Sequence, residues 1–226
     1  MPRQTIYLDH NASAPLLPEA RAAHIAALDL TGNPSSVHAQ GRALRAVVDK
    51  ARTEVAKLAG AERDQVVFTG SATEAISQAI IGGARAFKAD AIVVSEGEHT
   101  AVLRAADATG LPVKRVGLDA DGLIKVEQIA GAIADADRVG MRILVAVHLI
   151  NNETGVMQPV DRIETLVGPS PHFLFVDAVQ AFGKMVLEFA SRQFDRYQHC
   201  YDVAGHQCLR ELQIFPCLFS LQIRRR

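Results

Sequence analysis

The run Phe173-Leu174-Phe175-Val176-Asp177 ends four consecutive apolar residues with a carboxylate. Short, continuous apolar runs of this kind are typical of strands that are buried on both faces of a parallel sheet. A carboxylate at that depth costs free energy unless it is paired, so Asp177 is a candidate functional residue.

Short apolar runs alternate with amphipathic stretches in the chain before this strand. Strands are predicted over 66–69, 91–95, 113–116, 143–147 and 173–176, and helices over 18–30, 41–58, 72–87, 101–108, 126–133 and 160–167. This alternation indicates βαβ units and therefore an α/β fold, with a mainly parallel sheet and helices on both faces. In such sheets ligands bind beyond the carboxyl ends of the strands.

Composition excludes several classes of partner. The chain has 226 residues, a formal net charge of −1 and 49% hydrophobic residues, which is typical of a globular protein and favours neither nucleic acid nor membrane as a partner. The longest apolar run, 143–150, is too short to span a bilayer, and residues 1–4 lead directly into a strand-like Ile6-Tyr7-Leu8. We therefore expect a cytoplasmic protein.

The spacing of Cys200, Cys208 and Cys217 fits no zinc site, so no metal is expected.

Two polar segments follow predicted strands in the first half of the chain. Gly70-Ser71-Ala72-Thr73-Glu74 opens a helix, where free backbone N–H groups suit a phosphate and the Ser71 and Thr73 hydroxyls add donors; the alternative is an ordinary capping box. In Glu98-His99-Thr100, His99 could lie over a planar ring and exchange protons, or it could be a polar residue at a helix start. His148, one polar position in a core strand, is interpreted as structural.

The second half supplies three further candidates. Asn152, in Asn151-Asn152-Glu153-Thr154-Gly155, could bind a ring oxygen or a carboxylate, or simply form a turn. Asp177 suits a protonated pyridine nitrogen, the electron-sink form of pyridoxal phosphate (PLP), although a helix cap is the alternative. Gln180 could reach the phenolate side of the same ring.

These segments resemble a known family. The motifs at 9–15, 32–38, 68–74, 98–99, 151–159 and 176–184 occur in the order seen in cysteine desulfurases, the NifS-like members of the class V aminotransferase superfamily. The resemblance covers about residues 6–189. Its most specific elements are Gly-Asn-Pro-Ser-Ser-Val-His at 32–38 and Asn-Asn-Glu-Thr-Gly at 151–155, and selenocysteine lyases are close competitors.

The resemblance implies a PLP-dependent transferase of fold type I. Ala72 and Thr73 would hold the phosphate, His99 would stack on the ring and act as the catalytic residue, and Asn152, Asp177 and Gln180 would contact the ring hydroxyl, the ring nitrogen and the ring oxygen. The family removes sulfur from L-cysteine, leaving alanine and an enzyme persulfide for iron–sulfur cluster assembly. The implied partners are a second copy of the chain and an iron–sulfur scaffold protein.

The chain also departs from the family. The lysine that forms the aldimine is expected in the region 202–208, where His206-Gln207 echoes the pattern but Gln207 cannot form a Schiff base. No lysine follows Lys184, which the family places in a Gly-Lys pair after the Asp177 strand. The region with the catalytic cysteine, the substrate-carboxylate arginine and most of the small domain are missing.

We therefore expect a truncated homologue with impaired activity. The alternatives are a non-catalytic dimer partner of a full-length paralogue, another class V enzyme such as a selenocysteine lyase, and a fragment with no function.

Three parts are predicted along the chain. Residues 1–17 form an N-terminal segment on the small-domain side, 18–192 an incomplete PLP-binding large domain, and 193–226 an atypical tail. The tail contains all three cysteines but only one alanine and no lysine, and its run 212–223 shows no helical or strand period. Translation in a shifted reading frame would produce such a tail.

Overall fold

A single mixed sheet organises the molecule. The computed structural model describes residues 6–168, 170–187, 199–203 and 219–222. These form a seven-stranded sheet of order β1-β7-β6-β5-β4-β2-β3, with the strands β1 (Val66–Phe68), β2 (Ala91–Ser95), β3 (Val113–Val116), β4 (Ile143–His148), β5 (Phe173–Asp177), β6 (His199–Val203) and β7 (Phe219–Gln222). Strands β3, β2, β4, β5 and β6 run parallel, and β7 is antiparallel to both of its neighbours. The predicted α/β fold with a mainly parallel sheet is confirmed.

The helices lie at the predicted places. They are α1 (Pro18–Leu28), α2 (Ala39–Ala59), α3 (Ala72–Ser77), α4 (Gly83–Ala86), α5 (Thr100–Ala108), α6 (Val126–Val139) and α7 (Val160–Val167), with a 3₁₀ turn at Arg63–Gln65. A π turn at Gln78–Gly82 joins α3 to α4 within the stretch predicted as one helix. Helix α6 extends beyond its predicted end because a left-handed residue, Gly140, terminates it. None of the described helices is long and apolar enough to cross a membrane.

Alternating residues of the strands build two separate cores. Val93, Val145 and Val176 belong to a cluster that also takes Val55 of α2, Ile129 of α6 and Ile163 of α7. Ile92, Leu144 and Phe175 point to the other cluster, with Ile76 of α3 and Val102 of α5. Because neighbouring residues of a strand face opposite sides, these two clusters mean that helices cover both faces of the sheet, as predicted.

Two short strands occur in the segment 193–226. The backbone of β6 pairs with β5 in parallel, and β7 fills the position between β6 and β1. Strand β7 falls within the run 212–223, so the expectation of no regular element there is wrong for residues 219–222. The remainder of this segment, including His206-Gln207, Cys208 and Cys217, lies outside the described residues. The division of the chain at residue 192 stays a prediction.

Candidate functional site

A cavity of about 300 Å³ lies beyond the carboxyl ends of β2, β4 and β5. All six predicted site residues line it, although they come from four separate segments of the chain. The lining consists of Asn11, Ala12, Ala72, Thr73, Ile76, His99, His148, Ile150, Asn152, Asp177, Val179 and Gln180. The structure therefore brings the predicted residues together, whereas their individual roles stay predictions.

A larger groove of about 790 Å³ lies between α1 and α2, far from these strand ends. Alanine, leucine and valine side chains make up most of its wall, and its charged members are Glu19 and Lys50. These two charged side chains are exposed to solvent, and the groove has no histidine, serine, threonine or cysteine beside them. The smaller cavity is therefore the candidate active site.

The start of α3 forms one end of the cavity. The Ser71 hydroxyl accepts a hydrogen bond from the Glu74 N–H at 3.0 Å, and Glu74 Oε2 accepts one from the Gly70 N–H at 2.8 Å. Ser71 thus caps the helix, which is the alternative reading of this motif, and it does not line the cavity. Ala72 and Thr73 do line it, so the Thr73 hydroxyl remains the donor available to a phosphate.

The ring of His99 is fixed by the backbone at the start of α5. Its Nδ1 accepts a hydrogen bond from the Ala101 N–H at 3.1 Å. With Nδ1 acting as an acceptor, the proton of the neutral imidazole is on Nε2, as inferred from the hydrogen bonding. His99 is therefore both the helix cap and a cavity residue, and Nε2 is the nitrogen that can exchange a proton.

The adjacent residues Asn151 and Asn152, which follow β4, have different structural roles. Asn151 folds the turn, because its Oδ1 accepts from the Glu153 and Thr154 N–H groups, both at 2.9 Å, while its Nδ2 donates to the Gly97 carbonyl at 3.0 Å. This leaves Asn152 at the cavity wall. The turn predicted as the alternative is therefore present, but Asn151 makes it.

Asp177 ends β5 at the floor of the cavity and is only 8% exposed. Burial raises the pKa of its carboxyl from the ordinary 3.8 to about 6, partly offset by the hydrogen bond from the Val179 N–H; the charge of Glu98 raises the pKa further, and His148 and His99 lower it. A buried carboxylate with one backbone donor is poorly compensated, and a cation in the cavity would stabilise it.

His148 was not predicted to belong to the site. It is buried, as expected for a core strand, but its side chain also lines the cavity. Its Nδ1 lies 2.7 Å from Oε1 of Glu98, a fully buried side chain that also accepts a hydrogen bond from the His148 backbone N–H at 3.0 Å. Burial raises the pKa of Glu98 and the contacts with His148 oppose that rise. The sequence did contain a signal for this site residue, because His148 is the last residue of β4 just as Asp177 is the last residue of β5.

Asn11 also lines the cavity and was also missed as a site residue. Its Nδ2 donates to the Asn152 carbonyl at 3.0 Å, and its own carbonyl accepts from Gln180 Nε2 at 3.0 Å. Lys184 Nζ donates to Gln180 Oε1 at 2.7 Å and to Asn11 Oδ1 at 3.3 Å. Both ends of the Gln180 amide are thus engaged by the chain, and partial burial lowers the pKa of Lys184.

Comparison with known proteins gives the family. Residues 6–200 match the model of the family described as aminotransferase class-V. The chain belongs to this family. A cysteine desulfurase of Cereibacter sphaeroides is 37% identical over 199 residues, covering 85% of this chain and 50% of the relative. A mitochondrial cysteine desulfurase of Drosophila melanogaster is 34% identical over 209 residues, covering 89% of this chain and 43% of the relative.

Solved structures agree with the fold. A structure described as a NifS-like protein matches with a TM-score of 0.83 and 25% identity, covering 98% of this chain and 60% of the other. A structure of SspA in complex with cysteine matches with a TM-score of 0.82, 25% identity and coverages of 97% and 61%. The resemblance to cysteine desulfurases is confirmed, and the chain spans about half the length of the curated relatives named above.

Class V aminotransferases are PLP-dependent, and the cavity of this member fits that cofactor. Among the described residues Asp177 is a buried carboxylate without an ion pair, and a protonated ring nitrogen would supply its cationic partner. Thr73 lies at the start of α3 and His99 at the start of α5, and both residues line the cavity. A phosphate and an aromatic ring could be bound there. Among the described residues no cluster of His, Cys, Asp or Glu side chains is arranged to hold a metal ion.

The side-chain contacts of Asn11 predict how firmly residues 8–13 are held against the cavity. Asn11→Ala removes the side-chain bonds to Asn152 and Lys184, so we expect residues 8–13 to exchange their amide hydrogens about fivefold faster, equivalent to about 1 kcal/mol of lost docking energy. Hydrogen exchange followed by mass spectrometry measures this. Asn33→Ala, which loses only a local bond to the Ser35 N–H, is the matched control. Unchanged exchange in Asn11→Ala would show that the segment is held by other contacts.

Proposed function

We propose that this chain is the PLP-binding part of a cysteine desulfurase, with L-cysteine as its substrate class. The observation that carries the proposal is the buried Asp177 carboxylate at the floor of a cavity that Thr73, His99, Asn152 and Gln180 also line. The relatives named cysteine desulfurase support the same activity.

The proposed roles follow the positions of the side chains. Ala72 and Thr73 would hold the phosphate, His99 would stack on the ring, and Asn152, Asp177 and Gln180 would contact the ring hydroxyl, nitrogen and oxygen. When bound, PLP supplies an electron sink for a carbanion at the α-carbon of an amino acid. The chain's part is to hold the ring protonated through the Asp177 carboxylate.

Proton exchange is proposed for His99. Because the Ala101 N–H occupies Nδ1, the Nε2 atom is left to take up or release a proton. Asn11 and Ala12 line the same cavity. Burial of the Asp177 carboxylate strengthens its attraction to a cationic ring, because the interaction of two charges grows as the dielectric constant falls.

A second candidate is a non-catalytic PLP-binding chain that pairs with a complete paralogue. Two observations favour it. In the sequence, Gln207 is near the place where the family has its lysine. Lys184, which no other lysine follows, donates hydrogen bonds to Gln180 and Asn11 and is not among the residues that line the cavity. Without an amine at the cofactor there is no Schiff base and no base for the α-proton. We therefore propose that these 226 residues alone do not turn over cysteine.

The partners and the location are proposals of the same kind. They are a homodimer or a pair with a full-length paralogue, an iron–sulfur scaffold protein as the sulfur acceptor, and the cytoplasm. The Drosophila melanogaster relative is named as mitochondrial, so location differs among members of the family.

The proposed function is tested by titrating the full chain with PLP and recording visible absorption, followed by borohydride reduction and peptide mass mapping. We expect a saturable spectral change, no covalent adduct on Lys184 and no alanine from added cysteine. Lys184→Gln should behave like the unmodified chain, as should Lys57→Gln, a surface control bonded to Glu54. No saturable change would overturn PLP binding. An adduct on Lys184 together with alanine formation would overturn the non-catalytic alternative.

A further inference from the structure

The floor of the cavity carries a second polar group beside Asp177. His148 and Asp177 are register partners on the neighbouring parallel strands β4 and β5, so their side chains project from the same face of the sheet. Both residues end their strands and both line the cavity. Any ligand that reaches Asp177 therefore also approaches His148.

Glu98 fixes the orientation of the His148 ring. Its Oε1 atom lies 3.0 Å from the backbone nitrogen of His148 and 2.7 Å from Nδ1. The backbone N–H can only donate, so Oε1 is already an acceptor. A second N–H from Nδ1 to the same oxygen gives the imidazole a fixed tautomer, with the proton on Nδ1 and a bare Nε2.

The other ring nitrogen, Nε2, is buried and has no hydrogen-bond partner among the described residues. The side chain of His148 is only 5% exposed, and within the described ranges its Nε2 atom has no hydrogen-bond partner. A buried polar atom without a partner costs free energy that a ligand can recover by hydrogen bonding to it. Because His148 lines the cavity, a ligand bound there is the candidate partner of this atom.

We propose that Glu98 positions His148 so that its Nε2 accepts a hydrogen bond from the ligand at the floor of the cavity, beside Asp177. The floor then presents two acceptors, a carboxylate and an imidazole nitrogen. It selects a ligand whose inner end carries positive charge and an N–H that the two neighbouring acceptors share in a three-centre hydrogen bond, such as a protonated nitrogen heterocycle. The identity of the ligand rests on the proposed function, whereas the orientation of His148 does not.

The orientation is tested on the ligand-free full chain by ¹⁵N spectra of the imidazole nitrogens at about pH 8, above the ordinary pKa range of histidine. We expect a protonated Nδ1 and a bare Nε2 on His148. Glu98→Gln, whose amide oxygen can still accept both N–H groups, should keep that pattern, whereas Glu98→Ala should give a mixture of tautomers. A proton on Nε2 in the unaltered chain, as a protonated Glu98 would impose, overturns the proposal.

The ligand contact is tested with pyridoxamine phosphate, a probe that needs no lysine for binding. His148→Asn keeps a side-chain donor to Glu98 near the Nδ1 position but removes Nε2, so we expect about tenfold weaker binding. His172→Asn is the matched control: His172 is equally buried and its Nε2 lies 3.3 Å from Asp137, but it does not line the cavity. Its affinity should equal that of the unaltered chain.

The outcomes separate this inference from the proposed function. Binding to the unaltered chain with the same affinity in His148→Asn overturns the contact and leaves the proposed function intact. No binding to the unaltered chain overturns both. If His148→Asn fails to fold, the His148 Nε2 resonance of the unaltered chain decides the contact, because addition of the probe must shift it and an unmoved resonance overturns the proposal.

Discussion

Asp177→Asn weakens the binding of pyridoxamine phosphate to the full chain at about pH 7 by at least about a hundredfold. The pKa of Asp177 is about 6, so the carboxylate is mostly ionised at this pH and is buried at the floor of the cavity. Removing one member of a buried ion pair costs about 3–5 kcal/mol, which corresponds to a loss of about two to four orders of magnitude in affinity. Isothermal titration calorimetry measures the change.

The substitution isolates the charge. Asparagine has nearly the same shape, and its Oδ1 can still accept the hydrogen bond from the Val179 N–H that the carboxylate accepts at 2.9 Å. Asp135→Asn is the control, because Asp135 is an exposed carboxylate on α6 that pairs with Arg138 and does not line the cavity. An affinity of Asp177→Asn within about threefold of the unaltered chain would contradict the role of Asp177 as the partner of a cationic ring.

The convergence of six side chains on one cavity was predictable from local sequence because each of them stands near the end of a strand. A run such as 91–95 is apolar enough to be assigned as a buried strand, and parallel strands bring their carboxyl ends to one edge. The positions of His99, Asn152 and Asp177 follow from that rule alone. The resemblance to a family then added their proposed roles.

Asn11 could not be found in this way. Its contacts with Asn152 and Gln180 join residues that are 141 and 169 positions apart in the sequence, and no periodic pattern in segment 6–15 indicates where that segment packs. His148 was missed for a different reason. A single polar residue in an apolar strand is compatible with a core position, and no local pattern indicates the contact with Glu98, 50 positions away, or the place of His148 in the cavity lining.

The strands β6 and β7 in the segment 193–226 also could not be predicted from the sequence pattern. Strands β6 and β7 are short, and their pairing depends on the edges that β5 and β1 offer to them and not on a pattern of their own. Strand formation is governed largely by such cross-strand context. A sequence whose period is weak can therefore still complete a sheet, as residues 219–222 do.

The substitution Asp177→Asn, which weakens ligand binding, should also stabilise the ligand-free chain. Asp177 has a higher pKa in the folded chain than its ordinary value of 3.8, so the folded state holds its proton more tightly than the unfolded state. The stability that this group contributes is therefore fully present below about pH 3.8 and is lost as the pH rises through about 6. At 1.36 kcal/mol per pH unit, the cost above that window is about 3 kcal/mol.

Asp177→Asn removes this cost because its amide does not ionise. We expect the variant to have a free energy of unfolding about 3 kcal/mol higher than the unaltered chain at about pH 7.5, with the difference falling toward zero below pH 4. Urea unfolding at several pH values measures it, and Asp135→Asn should show no such pH-dependent gain. A variant that is less stable at pH 7.5 would mean that Asp177 is compensated within the fold. A gain in stability together with a loss of binding would instead identify Asp177 as a residue that destabilises the ligand-free fold and whose charge is satisfied by the ligand.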